Sequence, residues 1–359
     1  FNTTLTSKLE RISSLLKSVN TLDANNADRL LDYLSKCDVE LIIPVANLIT
    51  KKYINDEDTN KIIQDSLTKR IESDSTDIDN ALDICDYLLG NIISADNSSQ
   101  DAATKQLTEV ILQRMSKSDS EGINKFITSP VFETLHTFNG KDCTIFLCRQ
   151  LGRDDSNVKS GILKLFNDNE LKYYITEKEL PQIVALTENQ DAEVARLSGE
   201  IIKSIVHIRP EKDVSGAWTA WWKDNKNSFT ILENAQKILR KKGSDPILKK
   251  NALYQILINC YNESSIMDDN LDIAVLMAGD DSVPVDMRKE IFQTLTLMYF
   301  KKDKDNDKIA KMFNKALKDD KMRSAAVSLF SYASSSLYND DKIMIYFINM
   351  LSNKKENIL

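Results

Sequence analysis

Few side chains in this sequence of 359 residues have the types and spacing that chemistry needs. The two histidines, His136 and His207, stand far apart, so a nucleophilic thiol would draw its base from only one of them. Cys143 or Cys148 beside His136 on an adjacent helix is the arrangement the positions permit. The two cysteines stand five positions apart, which is not the CxxC spacing of a redox or zinc pair. The nine glycines form neither a nucleophile elbow nor a phosphate-binding loop.

Asp303, Asp305 and Asp307 take the first, third and fifth places of a calcium-loop pattern, but Lys308 replaces the turn glycine and Asn314 the bidentate glutamate. This stretch reads as a solvated loop. The pairs Asp268-Asp269 and Asp280-Asp281 flank helix starts, where capping accounts for them. The sequence therefore implies no catalytic residue, no metal site and no cofactor.

Trp218, Trp221 and Trp222, in "GAWTAWWKDNK", are all the tryptophans of the chain. At i, i+3 and i+4 they share one helix face. That face serves either as an aromatic platform for a peptide, glycan or partner helix, or as a packing anchor between helical blocks. Packing is the simpler reading, and the three residues remain the candidate partner-binding positions.

The elements that must position these residues are helices. Nine glycines and six prolines make up about 4% of the chain, against roughly 12% in ordinary proteins, too few for turn-rich sheet folds. The net charge of −7, with no strongly basic run, argues against nucleic acid. Five cysteines in helical apolar patterns read as buried free thiols. No apolar run is long enough to span a bilayer. A secretory leader ahead of Phe1 would make the protein exported or periplasmic, and without one it is expected in the cytoplasm.

A supersecondary unit recurs: "DDSNVKSGILKLF" from Asp154, "DAEVARLSGEIIKSI" from Asp191, "DPILKKNALYQILINC" from Asp245, "VPVDMRKEIFQTLTLMY" from Val283 and "DDKMRSAAVSLFSYA" from Asp319, with a weaker copy from Asp101. Most open on an aspartate suited to a helix N-cap and continue with apolar residues every three or four positions, such as Leu253, Ile256, Leu257 and Cys260. The basic residues near these starts, Lys159, Arg196, Lys249, Arg288 and Arg323, are 37, 53, 39 and 35 residues apart. Three of the intervals suit a two-helix repeat of roughly 33 to 47 residues, and the long one holds the tryptophans.

Over residues 154–335 these motifs resemble the HEAT repeats and their armadillo relatives, whose second helix opens on an Asp, Val, Arg pattern. The resemblance implies an all-α fold, an α-solenoid of stacked antiparallel helix pairs forming a right-handed superhelix. It departs at Ala195, which precedes the basic Arg196, and where Lys stands for Arg. Residues 1–115 then form degenerate helical repeats or a cap, with two short helices around Pro44 near the start of the second. Residues 116–210 form HEAT-like repeats, 211–232 an inserted Trp-bearing helix and 233–359 the C-terminal repeats of one continuous solenoid.

The function implied is non-enzymatic: a scaffold or adaptor that holds a protein or extended peptide partner on a concave helical surface. Its alternatives are a chaperone-like adaptor clamping a folded partner, and a glycosylase-like or lyase-like enzyme on a HEAT-like scaffold, which the acidic charge disfavours.

Overall fold

The computed structural model describes residues 39–52, 57–73, 76–94, 100–207, 216–241, 244–259, 274–280, 283–301 and 307–330, with isolated positions before residue 15. Cys37, Cys260, Asp268, Asp269, Asp281, Asp303 and Asp305 lie outside these residues. Every regular element among the described residues is helical. The chain divides into two compact units, Phe1–Leu171 with Asn189–Leu197, and Lys172–Glu188 with Ser198–Leu359.

The first unit contains α1 (Val39–Lys52), α2 (Glu57–Glu72), α3 (Ile78–Ser94), α4 (Gln100–Ser116), α5 (Ser120–Ile127), α6 (Pro130–Gln150) and α7 (Ser156–Asp168). Pro44 lies inside α1, five residues past its start. The helix continues although Pro44 has no N–H for the carbonyl one turn back. The polar stretch 116–122 is also shorter as a loop than expected, because Asp119 accepts from Gly122 N at 2.8 Å and starts α5 there. Ser129, ahead of Pro130, caps α6. Phe126, Phe132 and Phe146 form the aromatic centre, with edge-on rings 5.3 and 5.6 Å apart. At Asn139, α6 kinks (φ −133°, ψ 48°), and the side-chain amide of Asn139 donates to Thr108 Oγ1 of α4 at 2.8 Å.

The second unit carries a 3₁₀ turn (Glu170–Tyr174, mostly in this unit), α8 (Leu180–Leu186), the end of α9 (Ala192–Val206), α10 (Ala217–Asn225), α11 (Ile231–Arg240), α12 (Pro246–Asn259), α13 (Val285–Lys301), α14 (Asp307–Lys318) and α15 (Arg323–Phe330). Its main core runs from Ala235 and Leu239 through Leu253 and Ile256 to Phe292, Phe313, Met322 and Ala326.

Four of the recurring aspartates cap helix starts through their side chains: Asp155 from Asn157 N, Asp191 from Glu193 N, Asp245 from Ile247 N and Asp319 from Lys321 N, at 2.8 to 2.9 Å. The aligned basic residues do not share one role. Arg288 is buried; its Nη2 meets Asp319 Oδ2 at 2.6 Å and its Nε donates to the Ala278 carbonyl at 3.0 Å. Arg196 is exposed and pairs with Glu193 on its own helix, whereas Arg323 reaches the Leu317 carbonyl. The difference is burial: of these three, Arg288 is the buried one, and it reaches the capping carboxylate of Asp319.

Candidate functional site

The Trp-bearing helix α10 begins at Gly216, whose φ of 82° is the left-handed region that glycine occupies without strain. The helix packs against α8. Trp218 is only 5% exposed, and its indole lies against Gly199 of α9, where a Cβ would stand 3.7 Å from Nε1. Trp221 meets Trp218 edge-on at 5.9 Å and Phe229 at 5.0 Å, and Trp222 is tilted against Trp221 at 6.1 Å. Trp221 and Trp222 are half-buried. The shared face thus divides into one anchored ring and two with open edges.

The segments around α10 are held by side chains acting on backbone ends. Glu177 accepts from Ile231 N at 2.6 Å, supplying the start of α11 with a carboxylate that Thr230 does not provide. Asn234 of α11 donates to the Val206 carbonyl at 2.5 Å, at the end of α9. His207 follows there, buried, with φ 55° and no hydrogen-bond partner on either ring nitrogen. Burial pushes its pKa down from 6.5 to about 4, so the ring is neutral at neutral pH.

The thiol and imidazole candidates do not converge. His136 precedes the kink at Asn139 in α6 and Cys143 and Cys148 follow it, with both thiols buried and the imidazole half-buried. Burial, followed by the charge of Asp142, pushes the Cys143 thiol up to about 12, and burial chiefly raises Cys85 as well. Burial lowers the half-buried His136, only partly offset by Glu133, and its ring lies 5.7 Å from Phe132. A thiol held protonated is a packing group, not a nucleophile. Among the described residues, no three His, Cys, Asp or Glu side chains gather as a metal cluster.

One feature escaped the sequence reading. An open groove of about 740 Å³ lies between α5 and the start of α7, lined by Ser120, Glu121, Asn124, Lys125 and Thr128 on one wall and Asp155 and Asn157 on the other. The α5 wall is the polar side of a helix whose Ile123, Phe126 and Ile127 are buried. Lys125 bonds Asp79 at 3.0 Å and Glu121 at 3.6 Å; the Asp79 hydrogen bond and charge raise its pKa. The Val158 N–H, then the Ser120 hydroxyl, hold Asp155 below the usual carboxylate range. The polar spacing 120, 124, 128 signals the wall; the pairing of α5 with α7 that completes the groove has no local signal.

No protein-family model matches the chain, and no curated protein matches it. Among solved structures it is similar to Kap121p, from the crystal structure of Kap121p bound to Nup53p, at 12% identity and a TM-score of 0.25. The likeness covers 98% of this chain and 39% of that one, so this chain spans about two-fifths of that protein's length. A score this low adds nothing to the fold, which rests on the chain's own helices and contacts.

Proposed function

We propose that this chain is a non-enzymatic binding scaffold whose helix pairs stack as a HEAT-like or armadillo-like solenoid, holding a partner protein or extended peptide. The observation that carries this reading is the Arg288 to Asp319 contact. The basic residue of one repeat grips the capping aspartate of the next, so two sequence positions that recur along the chain become one inter-repeat bond. The groove between α5 and α7 and the open edges of Trp221 and Trp222 are the surfaces offered to a partner. The chemistry-bearing groups support a non-catalytic role: His207 is buried and neutral, and Cys85 and Cys143 are buried and protonated.

The test is affinity capture on the tagged chain, with Trp221→Ala/Trp222→Ala and Asn124→Ala/Asn157→Ala as matched baits. A protein retained by the wild-type bait and lost from one variant bait supports the reading. A chain that retains no protein but holds a small molecule overturns it.

A further inference from the structure

His207 occupies a position that disfavours it twice. Its φ of 55° is left-handed, a steric cost for a residue with a Cβ, and its buried imidazole leaves donor and acceptor both unmet. It stands where α9 ends, next to the Val206 carbonyl that Asn234 ties to α11, and α10 seats Trp218 against Gly199 of that same helix. We infer that His207 is an acid-sensitive latch: protonating its imidazole expels the ring, loosens the end of α9 and frees the Trp-bearing helix.

The site can hold a neutral ring but not a cation, since both nitrogens of an imidazolium must donate and neither has an acceptor. The ionisable groups on the neighbouring elements are Glu193, Arg196, Glu200 and Lys203 on α9, Lys223 and Asp224 on α10, Glu233, Lys237 and Arg240 on α11, and Glu177, Lys178, Glu179 and Glu188 around α8. None contributes to the titration of His207, whose lowered pKa of about 4 has burial as its only cause. A released ring returns to an ordinary pKa of 6.5. The ratio of released to latched chain therefore rises about 30-fold from pH 8 to pH 5, and about 300-fold in all below pH 4. The latch stands whether or not the chain binds a partner.

All three tryptophans lie on α10, so emission excited at the red edge, where tryptophan absorbs and tyrosine does not, reports this helix. The full chain is titrated from pH 8 to pH 4 while emission and far-ultraviolet circular dichroism are followed. A reversible red shift that precedes loss of helix is expected. His207→Asn, which tolerates the left-handed backbone without titrating, removes the shift, as does His207→Gly, which fits that backbone best; His136→Gln keeps it. In the wild-type chain the two histidines give one imidazole Hε1 resonance each, and that of His207 titrates well below the usual range. Emission unchanged to pH 4, a shift coincident with unfolding, a shift that survives either His207 variant, or a His207 resonance titrating near 6.5 overturns the latch.

Discussion

Asp319→Asn is expected to destabilise the chain more than Arg288→Met, although both break the same bond. The Arg288 side chain is 4% exposed and that of Asp319 25%. Removing the carboxylate charge takes the counter-ion from a guanidinium that water cannot reach, although its Nε still donates to the Ala278 carbonyl, a loss of about 3 to 5 kcal/mol. Removing the arginine strands a carboxylate that water does reach and that still accepts from Lys321 N at 2.9 Å, a loss of about 2 kcal/mol. The double variant should lie near Arg288→Met alone, because the stranded cation is gone. Burial raises the Asp319 pKa, but the Arg288 hydrogen bond, the Lys321 N–H and both positive charges outweigh it, so the folded value is depressed. A depressed carboxylate stabilises above its unfolded pKa, and that contribution fades as pH falls through the folded value. The wild-type advantage over Asp319→Asn is thus full at pH 7 and shrinks below about pH 4. Urea unfolding of the four chains at pH 7 and in acid measures all of this. Equal single-variant losses, or a larger loss in Arg288→Met, would refute the burial argument.

Trp218→Ala should cost about 3 to 5 kcal/mol in urea unfolding and Trp222→Ala about 1 kcal/mol or less, since only the first ring is nearly fully buried; comparable losses would mean that all three rings pack alike. Gly216→Ala forces a side chain into φ 82° and should cost about 1 to 2 kcal/mol, with Gly216→Asn the milder change. Ser129→Ala removes the α6 cap and should cost about 1 kcal/mol, seen as a lower urea midpoint at unchanged slope. Cys85, Cys143 and Cys148 are buried and should resist a thiol reagent in the native chain at pH 8, then label rapidly in urea; fast native labelling of Cys143 would contradict its pKa of about 12.

What was legible in the sequence is local. A capping aspartate acts within three residues of itself, so Asp155, Asp191, Asp245 and Asp319 could be read as helix starts from order alone. The apolar spacing of Leu253 and Ile256 likewise named residues that prove buried. Pro44 lies five residues into α1, where a helix already started absorbs one missing N–H.

Tertiary structure decided which of several equivalent residues does the work. Five basic residues share a position in the repeat, and the chain alone cannot say that Arg288 is the one that is buried against a capping carboxylate. Three tryptophans share a face, but a helix face is wider than the Gly199 surface that receives Trp218. The sequence sets helical period and caps because both act within one or two turns. Burial, which separates Arg288 from Arg196, Trp218 from Trp222 and His207 from His136, depends on residues brought together from distant parts of the chain.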